Sequence, residues 1–136
     1  MRSFTLVSAF GLSLASQAIM RLPTPAESAY IQYGTNFLYV GRFNGNSGVL
    51  IGDNMVLTAG HVFPGATATV PFVINGTTYQ VTNCARDPLY NGADISLGHD
   101  FTIGRITSRV LEVAPVKMYR GNAVGMPCAV VGYGLT

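Results

Sequence analysis

Charged residues are scarce in this sequence, at only 10% of 136 residues, and the formal net charge is +2. An average soluble domain carries roughly 25% charged residues, and a surface that binds nucleic acid needs clustered basic side chains. The composition therefore predicts that nucleic acid is not a partner. Apolar residues make up 49% of the chain, enough for one hydrophobic core, and the length suits one compact domain.

Long apolar runs are also lacking, since none after residue 18 reaches the roughly 20 residues that a membrane-spanning helix requires. The chain begins with a basic lead at Arg2, an apolar run over 4–15 and the small-residue site Ser16-Gln17-Ala18. This order is typical of a cleaved secretory signal peptide. We therefore expect residues 1–18 to be removed and the remainder to be secreted, extracellular or periplasmic, with no membrane partner.

Only two cysteines and two histidines occur, namely Cys84, Cys128, His61 and His99. They show neither CxxC nor HxxxH spacing, so the sequence predicts no metal site and no cofactor. An oxidising compartment would permit one internal disulfide between the cysteines. The sequence leaves open whether they are bonded.

Short apolar segments alternate with turn residues from residue 37 onward, and glycine and proline are frequent (16 and 7 residues). This pattern of short apolar segments and turns predicts an all-β fold, a small closed barrel of about six strands. Asn75-Gly76 predicts a type I′ hairpin turn. Residues 19–36, with Pro23 and Pro25, are predicted to be an extended lead-in. The predicted strands lie within 37–43, 47–51, 55–58, 67–74, 77–82, 95–97, 110–116 and 129–132, and the predicted loops are 86–92 and 98–104.

His61 is the candidate general base, because it follows an apolar strand through the small residues Thr58-Ala59-Gly60 and should be held firmly yet remain accessible. Asp94 is the candidate partner, since a carboxylate inside the strand-like segment 93–97 requires one. Such a carboxylate accepts the Nδ1 proton and leaves Nε2 free to take a proton from a nucleophile. Asp87 and Asp100 lie in turn-like contexts and are predicted to be solvated, and His99 is predicted to be an exposed loop residue.

Four blocks together resemble the trypsin-like, chymotrypsin-fold serine proteases, and they occur in that family's order. The blocks are Ser47-Gly48-Val49-Leu50-Ile51, Val56-Leu57-Thr58-Ala59-Gly60-His61-Val62, Ala93-Asp94-Ile95-Ser96-Leu97 and Cys128-Ala129-Val130-Val131-Gly132-Tyr133-Gly134. The resemblance implies an antiparallel six-stranded Greek-key β-barrel over residues 37–136, the N-terminal half of a two-barrel fold. It also implies serine-type endopeptidase activity on protein or peptide substrates, with His61 as base and Asp94 as orienting acid.

The sequence departs from the family at the nucleophile. No Gly-Asp-Ser-Gly-Gly segment occurs in it, and Gly45-Asn46-Ser47-Gly48 precedes the histidine and enters a predicted strand, unlike a nucleophile elbow. By resemblance, the serine, the oxyanion donors and the specificity pocket belong to the missing C-terminal barrel, a predicted partner. We therefore expect the 136 residues alone to be inactive. Ser47 and Val62 also stand where many members carry a disulfide, and no activation site is visible.

Three interpretations remain open. The chain is the N-terminal barrel of a secreted serine endopeptidase, or a protease homologue without a nucleophile that acts as a binding or regulatory module. The third is a small secreted barrel unrelated to proteolysis, in which His61 and Asp94 have unconnected structural roles.

Overall fold

Six antiparallel strands close into a β-barrel in the computed structural model, which describes residues 26–92 and 97–133. One helix, α1, precedes them at Glu27–Gly34. The strands are β1 Val40–Phe43, β2 Asn46–Gly52, β3 Met55–Thr58, β4 Val70–Ile74, β5 Thr77–Arg86 and β6 Thr102–Ile106. Their order around the barrel is β1-β2-β3-β6-β5-β4, and β4 pairs with β1 to close it. The predicted all-β, six-stranded antiparallel barrel is confirmed.

Tight turns connect β1 to β2, β2 to β3 and β4 to β5, whereas the longer segment 87–101 connects β5 to β6, which also pair directly. Asn75 and Gly76, between β4 and β5, have φ values of 46° and 78°, as a type I′ turn requires. Asn44 and Gly45, between β1 and β2, also both have positive φ. β3 does not pair with β4, which follows it in sequence, because the chain crosses to the other side of the barrel and leaves β6 beside β3.

The core fills the barrel with alternate side chains from its strands, because successive residues of a strand point to opposite faces. Burying such a side chain contributes about 1.5–3 kcal/mol relative to leaving it exposed. Phe43 and Phe72 are the largest fully buried side chains. The remaining buried apolar residues of the barrel are Leu50, Val56, Val70, Ile74, Val81, Cys84, Ile106, Val110 and Val113.

The predicted position of the sixth strand is wrong. The sequence predicted a loop over 98–104 and strands over 110–116 and 129–132. The structure has β6 at Thr102–Ile106, with Thr102, Gly104 and Ile106 buried. A Cβ on Gly104 would lie 2.4 Å from Val81 Cγ1, so this glycine provides room inside the barrel rather than a turn. Val110 and Val113 are buried without strand pairing, which explains the apolar pattern around them.

Two other predictions concern the ends of the described chain. Of the predicted extended lead-in over 19–36, residues 19–25 lie outside the described residues, and Glu27–Gly34 is helical rather than extended. Glu27 lies in the first helical turn, where an acidic side chain is favourable. The signal peptide over 1–18 lies outside the described residues, as do Ile95 and Ser96 of the predicted strand 95–97. In the described part of the chain, no helix has the length and apolar character to cross a membrane.

Candidate active site

His61 lies at the rim of the barrel in a single 3-10 turn, Gly60–Val62, which follows β3 directly. Its side chain is 60% exposed. Gly60 is buried beneath it, and a Cβ at that position would come within 3.0 Å of Asp100 Oδ1. The small residue before the histidine therefore lets an aspartate approach its backbone closely, and the predicted accessible setting of His61 agrees with its exposure.

Asp100 contacts His61 with both carboxylate oxygens. Oδ1 accepts a hydrogen bond of 2.8 Å from the backbone N–H of His61, and Oδ2 lies 2.9 Å from the imidazole Nδ1. An ionised carboxylate can only accept, so Nδ1 donates. This contact fixes the tautomer of the neutral ring with its proton on Nδ1 and leaves Nε2 as the acceptor.

The pairing of β3 with β6 brings these two residues together. Thr58, the last residue of β3, lies opposite Thr102, the first residue of β6. The chain therefore leaves β3 toward His61 and enters β6 from Asp100 at the same end of the barrel. Thr58 Oγ1 also donates a 2.8 Å hydrogen bond to the carbonyl of Ser47 and ties the end of β3 to β2.

The pKa of Asp100 reflects opposing effects. Burial of the carboxyl favours its neutral form and raises the pKa, whereas hydrogen bonds from the ring and backbone N–H of His61, the charge of that imidazole and the backbone N–H of Gly60 lower it. The hydrogen bonds outweigh burial, and the pKa is below its usual value. Asp100 is consequently ionised at neutral pH and able to hold the ring.

Asp94, the carboxylate predicted from the sequence to orient His61, lies outside the described residues, so its assignment stays a prediction. The prediction that Asp100 is a solvated turn residue is wrong, because its side chain is 18% exposed and engages His61. A sequence signal for Asp100 exists in the alternating segment Thr102–Ile106: an acid two residues before the strand that pairs with β3 falls next to the histidine that follows β3.

A second imidazole–carboxylate pair lies beside the first. His99 Nδ1 is 2.9 Å from Asp87 Oδ2, and these side chains are 33% and 11% exposed. The pKa of Asp87 is lowered, first by the backbone N–H of Leu89 and then by His99. The predictions of a solvated Asp87 and an exposed His99 are therefore wrong, because the two side chains pair with each other across twelve residues of sequence.

A cation–aromatic cluster joins the segments that carry these pairs. The guanidinium of Arg86 lies 4.9 Å from the ring centroid of Phe63 and 4.6 Å from that of Tyr90. Arg86 ends β5, Phe63 follows the His61 turn, and Tyr90 follows Asp87. Such contacts are worth about 0.5–1 kcal/mol each at exposed sites, and they hold the two segments next to each other.

Ser47 does not contact the imidazole through a hydrogen bond in the described residues. Its Oγ instead accepts a 2.7 Å hydrogen bond from the backbone N–H of Tyr133, whose ring lies 5.6 Å from the guanidinium of Arg42. These contacts attach the segment 131–133 to β1 and β2.

Neither cysteine is bonded. Cys84 is buried in the barrel and Cys128 is exposed. Burial raises the pKa of the Cys84 thiol, which makes it a poor nucleophile. In the part of the chain that the structure describes, no three potential metal ligands come together.

The closed barrel with a carboxylate-held imidazole at its rim is consistent with a β-barrel of the trypsin-like class. Residues 46–136 match the trypsin-like peptidase domain family, which is more than half of the chain. The chain therefore belongs to the trypsin-like peptidase domain family. This membership argues against the alternative of a barrel unrelated to proteases. Comparison with curated proteins gives no significant match.

Proposed function

We propose that this chain is the base-bearing barrel of a secreted serine-type endopeptidase, with His61 as the general base and Asp100 as the carboxylate that orients it. The observation that carries the proposal is the double contact of Asp100 with the backbone N–H and Nδ1 of His61. Because Nδ1 carries the proton in that contact, the lone pair of Nε2 on the exposed imidazole points away from the orienting carboxylate.

In the proposed reaction, Nε2 takes the proton of a serine hydroxyl as that oxygen attacks the peptide carbonyl. The imidazolium that forms is stabilised by Asp100, which stays ionised, and the proton then passes from Nε2 to the leaving amine. A pKa of Asp100 below its usual value supports this role, since a protonated carboxyl would not stabilise the imidazolium.

We expect the attacking serine to come from outside the 136 residues, because they contain no Gly-Asp-Ser-Gly-Gly segment. We expect it on a second barrel that packs against this one and supplies the oxyanion donors and the specificity pocket. The 136 residues alone are expected to hydrolyse peptides no faster than background, since loss of the nucleophile alone costs about a million-fold in related designs.

To test the proposal, the 136 residues are expressed together with the rest of their coding region, and peptide hydrolysis is measured. His61→Ala is expected to lower kcat by about a million-fold, whereas Asp53→Ala, a carboxylate paired with Arg109 in another part of the barrel, should leave it unchanged. Activity that survives His61→Ala would refute the assigned base. A full-length protein with no serine nucleophile would instead favour a non-catalytic binding or regulatory module.

Secretion is part of the proposal and rests on the first 18 residues alone. N-terminal sequencing of the protein recovered from the medium or periplasm should begin at Ile19. Retention of residues 1–18 would contradict the cleavage site after Ala18.

A further inference from the structure

We propose that Asp87 is a positioning residue for the proton relay: it holds the chain on both sides of Asp100 and thereby fixes the carboxylate that orients His61. The inference rests on the proposed function, which gives His61 and Asp100 their roles. Asp87 touches no substrate in this scheme and acts only through the residues next to Asp100.

Asp87 binds the two residues that flank Asp100 with different groups. On one side its Oδ2 accepts from His99 Nδ1 at 2.9 Å, and on the other its backbone N–H donates to the carbonyl of Phe101 at 3.1 Å. The N–H of Phe101 donates back to the carbonyl of His99 at 2.9 Å. Residues 99–101 thus form a tight turn held at both ends by one aspartate.

The Asp87 carboxylate is itself fixed. Its Oδ1 accepts a 2.8 Å hydrogen bond from the backbone N–H of Leu89, and the side chain is only 11% exposed. Exposed ion pairs contribute little because water and salt screen them, but a mostly buried carboxylate with two directed donors keeps its geometry. The lowered pKa of Asp87 is consistent with both contacts.

The opposite side of Asp100 leaves no room for adjustment. A Cβ at Gly60 would lie 3.0 Å from Asp100 Oδ1 and 3.0 Å from the backbone N of Phe101, so the two segments are already in close contact. The carboxylate is confined between the His61 turn and the turn held by Asp87. A shift of the 99–101 turn would therefore move Asp100 relative to the imidazole.

A purely structural role for Asp87 would stabilise the loop without affecting the imidazole, and a spectroscopic readout of His61 separates the two. In the 136-residue chain, the Nδ1–H proton of His61, which is hydrogen-bonded to Asp100, should give a resolved, slowly exchanging NMR signal. Asp100→Asn serves as the reference for its loss.

Four variants test the proposal. Asp87→Ala removes the acceptor of His99, and His99→Ala removes the same contact while keeping the hydrogen bonds of Asp87 to Leu89 and Phe101. Asp87→Asn keeps the size and a hydrogen bond to His99, because the Nδ1 of a neutral imidazole can accept from an amide. Asp53→Ala is the matched control.

We expect Asp87→Ala and His99→Ala to lose the Nδ1–H signal of His61, and Asp87→Asn and Asp53→Ala to retain it. In the full-length protein, misplacement of the ring by about 1 Å should lower kcat by up to about 100-fold, with KM unchanged. If Asp87→Ala does not fold, His99→Ala decides.

An intact His61 signal in both alanine variants would overturn the proposal, as would an unchanged kcat. The NMR arm needs no substrate, so it supports or refutes the role of Asp87 even if the full-length protein does not hydrolyse peptides. Failure of the inference and failure of the proposed function are thus distinguishable.

Discussion

Replacing Asp100 with asparagine should reverse the tautomer of His61. The carboxylate accepts two hydrogen bonds, from the backbone N–H and from Nδ1–H of this histidine, but an asparagine side chain offers only one oxygen. The backbone N–H can only donate, so the amide oxygen stays with it. The amide NH₂ then faces Nδ1, and the ring avoids two opposed donors by moving its proton to Nε2.

The expected loss of kcat in Asp100→Asn follows from this change of tautomer. A neutral imidazole with its proton on Nε2 cannot accept one from an alcohol there, so the variant loses general-base catalysis although the fold is kept. We expect kcat of the full-length protein to fall about 10⁴-fold near neutral pH, the loss typical of a wrong tautomer in this arrangement. At about 1.36 kcal/mol per tenfold, this corresponds to roughly 5 kcal/mol of transition-state stabilisation.

Asp94→Asn is the matched comparison, because the sequence alone assigns Asp94 to the same role. If Asp100 orients the ring, Asp94→Asn should change kcat by less than about tenfold, and ¹⁵N NMR of the imidazole should show the Nδ1–H form in the parent and the Asp94 variant but the Nε2–H form in the Asp100 variant. A 10⁴-fold loss in Asp94→Asn with a nearly normal Asp100→Asn would refute the assignment of Asp100.

Three further predictions concern the barrel itself. Gly41→Ala should destabilise the fold by about 1–3 kcal/mol through overpacking, because its Cβ would lie 2.6 Å from both a buried phenylalanine ring and a backbone carbonyl. The control Gly34→Ala, whose Cβ would have nothing within 4 Å, should not destabilise the fold. Equal urea midpoints for the two variants would contradict this expectation. The aspartates of both His–Asp pairs have pKa values below the usual one. Their contribution to the stability of the fold is therefore present above the unfolded-state pKa of about 3.9 and is lost as the pH falls through the lower folded-state pKa values. A urea midpoint that does not fall from pH 6 to pH 3 would contradict this expectation. A thiol reagent should modify Cys128 in the folded protein and Cys84, 3% exposed, only in denaturant, and equal labelling rates would exclude this burial.

The barrel could be predicted from the sequence because its turns and alternation are local signals. Asn75-Gly76 readily adopts positive φ at both central turn positions, so the β4–β5 hairpin follows from two residues. The apolar strand β3 and the small residues Ala59 and Gly60 between it and His61 likewise indicated where the imidazole would be exposed. These features depend on neighbours in sequence, and the structure agrees with them.

The contact of His61 with Asp100 could not be recognised in the same way because it depends on the pairing of distant strands. Gly104 made the segment 98–104 resemble a loop, although its missing side chain makes room for Val81 inside the barrel. Because β6 was not predicted, Asp100 was interpreted as a solvated turn residue, and the assignment of Asp94 rests on the local pattern of residues 93–97 alone. Asp87 was missed for a similar reason, since its partner His99 lies across the same fold.

The register of Thr58 against Thr102 and the turn held by Asp87 set the distance between imidazole and carboxylate, and the β4–β5 turn at residues 75–76 takes no part in it. Lengthening or shortening this turn changes the length of the chain between β3 and β6 but not the separation of the two groups at the rim. The β4–β5 turn is therefore free to vary in length, and thus to acquire new surface contacts, while the geometry of the His61–Asp100 pair is kept.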